Sequence, residues 1–153
     1  MDDRWYFAYG SNLDIDQKER RTGEIRETRR ACLPGYRITF DKLGGDRTGK
    51  ANITPDDTHV VWGVAYLCSG EALTKMDDYE GVAGGHYRRE SVQVRCESDE
   101  TLDAVTYVAG EQYVGSPRPP APDYLQRIVR GARNHGLPEE YIREIQQAAQ
   151  DTE

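Results

Sequence analysis

The first segment with residues suited to chemistry is Tyr9-Gly10-Ser11-Asn12-Leu13, where an apolar strand runs into a tight polar turn. Gly10 lets the backbone approach a ligand closely. Consecutive free N–H groups at such a turn form an anion-binding nest, and the start of a following helix adds positive potential. The turn therefore predicts a site for a carboxylate or phosphate. The same residues also fit a simpler role, in which Ser11 or Asn12 caps the helix.

Glu80 is the second candidate, since it ends a predicted helix and directly precedes Gly81. A carboxylate beside glycines can protrude into a cavity that other residues shape. If burial raises its pKa toward neutrality, it can accept and return a proton near pH 7. The alternative is an exposed glutamate at a helix end, similar to its neighbours Asp77 and Asp78.

Other catalytic arrangements have less support. The histidines His59, His86 and His135 lie in separate segments, so no metal site is predicted. Ser11 is not in a nucleophile elbow, and the glycine-rich segment 81–85 lacks the Lys-Ser/Thr ending of a phosphate-binding loop. Spacing alone leaves a Cys or Ser nucleophile with a His base open.

Runs of apolar residues predict the strands that position these candidates. Arg4–Tyr9 is apolar or aromatic on both faces, and Val60–Cys68 is strongly apolar, so both are predicted as buried strands. Ser91–Cys96 alternates cleanly and can pair with Leu102–Val108 across a polar turn. Glu27–Phe40 is predicted as a strand pair broken at Pro34-Gly35.

The helices are predicted from apolar spacing and from their stop signals. The predicted helical segments are 14–21, stopped by Gly23, then 69–79, then a helix over 125–132 that ends at Gly136, and a last helix that begins at Pro138. Strands therefore come first and helices last, which favours an α+β fold with a mainly antiparallel sheet or barrel. Two loops are predicted: Asp41–Lys50 is exposed, and Ser116–Pro122 is extended because it contains four prolines.

The length, charge and composition of the chain exclude several classes of protein. The 153 residues fit one domain over 1–153, and 27 acidic against 20 basic residues give a net charge of −7, which argues against a nucleic-acid binder. The longest apolar stretch, Val60–Cys68, is too short to span a membrane. Three widely spaced cysteines predict neither a disulfide framework nor a zinc site, so a cytoplasmic location is expected.

Several segments, in the right order over residues 4 to about 145, resemble the γ-glutamylcyclotransferase family, also called the avirulence-induced-gene-like family. The first is Tyr6-Phe7-Ala8-Tyr9-Gly10-Ser11-Asn12-Leu13, which resembles the N-terminal signature of that family. The others are Trp62-Gly63-Val64-Ala65-Tyr66, Asp77-Asp78-Tyr79-Glu80-Gly81-Val82 with the following Gly85-His86-Tyr87 and Val92-Gln93-Val94, Pro122-Asp123-Tyr124-Leu125, and the stretch from Gly131 to Tyr141.

The resemblance implies a small mixed, mainly antiparallel β-barrel flanked by helices, with a pocket at one mouth. It implies cleavage of a γ-glutamyl amide by its own α-amine, which gives 5-oxoproline and a free amine without a metal or organic cofactor. Glu80 matches the catalytic glutamate of the family. Gly10 to Leu13 would hold the γ-glutamyl part, and Tyr9, Tyr87 and Tyr124 are candidate pocket hydroxyls, unless they are simply packed aromatics.

Two other functions stay open: an enzyme for γ-glutamylamines or another amide on the same scaffold, and a binding module that has lost catalysis. The amine side of the small-molecule substrate is not specified; a γ-glutamyl amino acid, glutathione, γ-glutamyl-lysine and a γ-glutamylated natural product all fit. The acidic balance weakly favours a cationic leaving group. The loops Asp41–Lys50 and Ser116–Pro122 can line the rim, and the chain can be a monomer or a homodimer.

Overall fold

Five β-strands close into a barrel in the computed structural model, which describes residues 3–152. The strands are β1 (Asp3–Ala8), β2 (Glu27–Leu43), β3 (Gly49–Ser69), β4 (Tyr87–Cys96) and β5 (Thr101–Ala109). Around the barrel they follow the order β1-β3-β2-β4-β5. All neighbours are antiparallel except β1 and β5, whose short parallel pairing joins Trp5 to Ala104 and Tyr6 to Val105. The predicted mixed, mainly antiparallel barrel is confirmed.

Four helices flank the barrel. They are α1 (Ile15–Thr22), α2 (Gly70–Tyr79), α3 (Pro122–Asn134) and α4 (Glu139–Gln150). Three of them begin one residue from the predicted start, and α3 begins at Pro122, three residues before it. Gly23 and Gly136 take the positive φ angles of helix-ending residues, as expected. No helix among residues 3–152 is long and apolar enough to cross a membrane.

The β2–β3 hairpin is longer than the sequence predicts. Glu27–Phe40 is not a broken strand pair, because Gly35 takes a φ of 86° and forms a bulge within one continuous strand. The predicted exposed loop Asp41–Lys50 is also mostly wrong: β2 runs on to Leu43, β3 begins at Gly49, and only a short turn joins them. Lys42 is consequently buried, with 5% of its surface exposed.

The proline-rich segment is extended, as predicted, and lies along the end of this hairpin. The backbone N–H of Gly49 donates to the carbonyl of Pro119 over 3.1 Å, and the N–H of Arg118 donates to the carbonyl of Phe40 over 3.0 Å. These bonds hold the hairpin tip against the start of α3. The tip and the proline-rich segment therefore form one continuous rim.

Candidate active site

An open cavity of about 490 Å³ lies at one mouth of the barrel. Its wall draws on the end of β1 and the turn after it, the last turn of α1, the end of α2, strands β3, β4 and β5, and the start of α3. Among the residues predicted for a site, Glu80, Tyr9, Gly10, Ser11, Asn12, Tyr87 and Tyr124 line this cavity. Leu13 does not. The fold therefore brings together seven of the eight predicted residues from segments far apart in the chain.

The end of α2 fixes the position of Glu80. Ser69 caps the start of that helix by accepting a hydrogen bond from the N–H of Ala72 (3.0 Å), and Met76 anchors its buried face. Glu80 is the C-terminal cap, and its N–H still donates to the carbonyl of Met76 over 2.9 Å. Gly81 then takes a left-handed φ of 64°, which a glycine adopts without strain, and turns the chain away from the helix.

The surroundings of Glu80 favour its neutral form. The residue keeps partial solvent access, but protein crowds its carboxyl group, and this burial raises its pKa to about 7 against the opposing charges of Arg21 and Lys42. The carbonyl end of α2 carries partial negative charge and acts in the same direction as burial. No donor among residues 3–152 makes a hydrogen bond to the carboxylate. The group is therefore free to exchange a proton with a ligand near neutral pH.

The turn after β1 leaves several backbone donors free. Residues Ser11–Leu13 form one turn of 3₁₀ helix, closed by a bond from the N–H of Leu13 to the carbonyl of Gly10 (3.0 Å). The cap of α1 is Asp14, which accepts from the N–H of Gln17, so neither Ser11 nor Asn12 has the capping role. The N–H groups of Gly10, Ser11 and Asn12 donate to no acceptor within residues 3–152.

The side chain of Asn12 braces this turn. Its amide nitrogen donates to the hydroxyl of Tyr6 (3.0 Å) and contacts the sulfur of Met76 (3.4 Å), while its oxygen accepts from Gln17 (3.0 Å) and Arg21 (3.4 Å). One buried amide thus ties the turn to β1, α1 and α2. Because its hydrogen bonds are already used, Asn12 can meet a ligand through its backbone and not through its side chain.

Leu13 lies in the core, outside the cavity wall. Its side chain is buried against α3, where a Cβ on Gly131 would come within 2.8 Å of the Leu13 Cβ. Its N–H is also already bonded within the turn. We therefore withdraw Leu13 as a binding residue, and assign it the packing of the turn against α3.

The three predicted tyrosines differ in what their hydroxyls can still do. Tyr9 donates to the carbonyl of Tyr107 (2.6 Å), and Tyr87 donates to the carbonyl of Ala51 (2.7 Å), so both protons are engaged. Tyr124 instead accepts a bond from the N–H of Ala51 (3.0 Å), which leaves its own proton available. Burial raises the pKa of all three hydroxyls, so they stay neutral. Tyr124 is the one of the three that can donate to a ligand.

Charged residues that sequence reasoning missed also line the cavity. Arg21 stands over the ring of Tyr79, 5.1 Å from its centroid, and Tyr79 is itself 55% exposed at the mouth. Lys50 and Arg127 add positive charge at the rim, and Asp123 adds a carboxylate. The spacing of Gln17 and Arg21, four residues apart on a helix, could have shown that they share a face.

The three histidines do not converge. His59 is near Asp56 (3.1 Å), His86 contacts Lys42 (2.9 Å), and His135 contacts the carbonyl of Leu13 (2.9 Å). Within residues 3–152 no group of three or more His, Cys, Asp or Glu side chains is placed to hold a metal ion.

Known proteins are similar to this chain both in sequence and in architecture. A sequence profile of the AIG2-like family matches residues 60–145. A human γ-glutamylcyclotransferase is 30% identical over 141 residues, which cover 89% of this chain and 73% of that protein. A human glutathione-specific γ-glutamylcyclotransferase 1 is 31% identical over 150 residues, 90% of this chain and 66% of that protein. A solved γ-glutamyl cyclotransferase structure superposes with a TM-score of 0.88 at 26% identity, covering 99% of this chain and 89% of the other.

The closed five-stranded barrel is thus the architecture of a class of enzymes, the γ-glutamylcyclotransferases. The chain belongs to the AIG2-like family of γ-glutamylcyclotransferases.

Proposed function

We propose that this chain cleaves γ-glutamyl amides by ring closure, with Glu80 as its acid–base group. The α-amine of the substrate attacks its own γ-carbonyl, so a new C–N bond forms as the original amide C–N bond breaks. The products are 5-oxoproline and a free amine. The protein relatives named above support the reaction, and the site supports the assignment of roles to residues.

The observation that carries the proposal is the carboxylate of Glu80, which lines the cavity without a partner and whose pKa is raised to about 7. The α-ammonium of the substrate must lose one proton before it can attack. It gives up a second proton once the ring C–N bond has formed, since it ends as the lactam N–H, and the leaving nitrogen must gain one proton as it departs. A single carboxyl group that titrates near neutrality can do both, because it is a competent base and a competent acid at the same pH.

The turn at Gly10–Asn12 supports the second role, the binding of negative charge. The γ-carbonyl oxygen becomes an oxyanion in the tetrahedral intermediate, and free backbone N–H groups that are fixed beforehand stabilise such charge. The proton of the Tyr124 hydroxyl is a further donor on the same cavity. The guanidinium of Arg21 suits the α-carboxylate of the substrate, since its one side-chain hydrogen bond, to Asn12, is long at 3.4 Å.

Ring closure suits a site that only positions and exchanges protons. Holding the amine near attack distance can contribute up to about 7–11 kcal/mol, because both reacting groups belong to one molecule whose freedom is restricted. The cavity volume of about 490 Å³ lies within the usual range for small-molecule sites.

Two other functions are alternatives to this proposal. One has a different amine as the leaving group, and the other is ligand binding without a reaction. An enzyme for γ-glutamylamines would need the same Glu80 with a different rim, and a binding module would need no proton transfer. Lys50 and Ala121, from the hairpin tip and the proline-rich segment, line the cavity, which supports a contribution of these two segments to the amine side. The rim and wall carry three basic residues, Arg21, Lys50 and Arg127, and this does not favour the cationic leaving group suggested by net charge.

The test is 5-oxoproline release by the purified protein. We would offer a γ-glutamyl amino acid, a γ-glutamylamine and glutathione, and the same amides with an acetylated α-amine. We expect 5-oxoproline from at least one free-amine substrate and nothing from its acetylated form, because acetylation blocks the ring closure. Release of the amine from acetylated substrates would instead reveal hydrolysis by water.

Glu80→Gln is the matching variant, with Asp78→Asn as its control, since Asp78 is an exposed carboxylate at the same end of α2. We expect Glu80→Gln to lose turnover while staying folded, and Asp78→Asn to keep it. Full turnover by Glu80→Gln would overturn the role of Glu80. Binding of these ligands without turnover by the wild-type protein would favour the binding module.

We also propose that residues 1–153 act as one domain in the cytoplasm. One hydrophobic core cluster joins the barrel to the helices, and Cys32, Cys68 and Cys96 are free thiols, which suits a reducing compartment.

A further inference from the structure

A buried lysine stands behind the wall of the cavity. The ammonium of Lys42 lies 2.9 Å from Nδ1 of His86, 5.0 Å from the ring centroid of Tyr113 and 5.5 Å from that of Tyr87. Because an ammonium can only donate, Nδ1 of His86 accepts this bond. Two aromatic faces and one ring nitrogen thus compensate the charge that burial would otherwise disfavour.

His86 connects this lysine to the turn that carries the proposed base. Its ring stacks on Tyr113 with centroids 3.9 Å apart, and it packs against Gly81, where an added Cβ would lie 3.0 Å from the ring. The N–H of His86 also donates to the carbonyl of Gly81 over 3.1 Å. Lys42, His86 and Gly81 therefore form one packed unit, and it includes the residue that directly follows Glu80.

The charges of Lys42 and Glu80 interact. The pKa of Lys42 is lowered by burial and by Lys50, and Glu80 opposes this change, while Lys42 in turn lowers the pKa of Glu80. Lys42 is absent from the cavity lining, so a bound substrate would not displace it. Its charge is therefore fixed in position and sheltered from water.

We propose that Lys42 is a positioning residue for the reaction: its buried ammonium, anchored on His86, keeps Glu80 available as a base and holds the turn that carries it. This inference rests on the proposed function, since it assumes that Glu80 exchanges the proton. It assigns a role to a lysine that the sequence places in a loop and that touches no reacting atom.

Other charged and titratable groups also act on this pair and must be counted in any pH profile. The groups that face Glu80 or Lys42 are Arg21 from α1, Tyr6 from β1 and Tyr9 directly after it, Lys50 from β3, Tyr87 and His86 near the start of β4, Tyr107 from β5, Tyr113 after β5, and Tyr124 from α3. Burial raises the pKa of five of these tyrosines, Tyr6, Tyr9, Tyr87, Tyr107 and Tyr124, so they stay neutral, and Arg21, Lys42 and Lys50 supply the positive charge.

The experiment is the pH profile of kcat/KM for Lys42→Met, which removes the charge and keeps an apolar stem. We expect the acidic limb, where Glu80 loses its proton, to move upward by about 0.5–1 pH unit, because an opposing charge no longer favours the carboxylate. At a pH below the limb, kcat/KM of Lys42→Met should be about three- to tenfold lower than that of the wild-type protein at the same pH. Lys42→Arg keeps the charge and should return the limb most of the way to its wild-type position. His86→Phe, which keeps the stacking but loses Nδ1, should give a shift of intermediate size.

Lys75→Met is the matched control, since Lys75 is an exposed lysine on α2 and its charge is screened by water. It should leave the limb in place. A Lys42→Met protein that is folded and active with an unmoved limb would overturn the inference, even if its melting temperature falls, because that pattern is purely structural. A wild-type protein that releases no 5-oxoproline would overturn the proposed function instead, so the two failures are distinguishable.

Discussion

Glu80 should make the folded protein less stable at neutral pH than it would be without this charge. In the folded protein the pKa of Glu80 is raised from its usual 4.5 to about 7. The folded state therefore binds more protons than the unfolded state between these two values. Stability contributed by this group is highest below about pH 4.5 and is lost as the pH rises through about 7.

The size of the effect follows from the rise in pKa. A rise of roughly 2.5 pKa units, at about 1.4 kcal/mol each, sets an upper bound of about 3.5 kcal/mol. Solvent access through the cavity mouth screens part of it, so we expect Glu80→Gln to stabilise the protein by about 1–3 kcal/mol at pH 8. The difference should fall to about 0.4 kcal/mol at pH 4.5, where Glu80 is protonated in the folded state and half protonated in the unfolded state, and glutamine is a close mimic of the neutral acid.

Urea unfolding of wild type and Glu80→Gln at pH 4.5, 6, 7 and 8 measures this difference. Asp78→Asn is the control, and its exposed position predicts little change at any pH. A Glu80→Gln protein that is no more stable than wild type at pH 8 would refute the reasoning, since it would mean that the cavity solvates the charge as well as water does. A gain that is independent of pH would point to packing and not to ionisation.

Three further predictions concern the same site. The wild-type kcat/KM should fall about tenfold per pH unit below about pH 7, as Glu80 takes up its proton. Gly10→Ala should raise KM about tenfold, because the added Cβ would lie 3.4 Å from the Ala51 Cβ and 3.9 Å from the Tyr124 hydroxyl and would narrow the cavity beside the turn. Gly81→Ala should instead destabilise the protein by about 1–2 kcal/mol, since φ is 64° and the Cβ would lie 3.0 Å from His86. Tyr124→Phe should lower kcat/KM about tenfold in a folded protein, and unchanged kinetics would remove its hydroxyl from the site.

The sequence predicted the strands and helices best where apolar patterning was strong. The four helices and the β4–β5 hairpin came from regular spacing and stop signals. The sequence did not predict the long β2–β3 hairpin. Pro34-Gly35 is typical of a strand break, but in the fold Gly35 forms a bulge within a continuous strand. Lys42 was placed in an exposed loop, since a charged residue next to glycines gives no sign that two aromatic rings will shelter it.

The sequence predicted which segments form the candidate site, but it did not predict the burial, capping or hydrogen-bond partners of their residues. Local sequence identifies the turn at Gly10–Asn12 and the helix end at Glu80, yet from the pattern alone it favours helix capping for the turn and exposure for Glu80. The fold gives the cap to Asp14 and crowds Glu80 with groups from the whole barrel. Burial of this kind depends on contacts between distant parts of the chain, which no short pattern encodes. The hydroxyl partners of the tyrosines are set in the same way.

The parallel pairing of β1 with β5 also sets the order in which the molecule assembles. Thr106 of β5 donates to the carbonyl of Phe7 over 2.8 Å, across 99 residues of chain. A ribosome working at about 5–20 residues per second separates these strands by roughly 5–20 s. The N-terminal strand can meet β3 in that interval, but its other edge must wait for β5. A nascent chain halted before β5 would thus carry the whole Gly10–Asn12 turn and Glu80 without the wall that joins them, and ligand binding would be the last property it acquires.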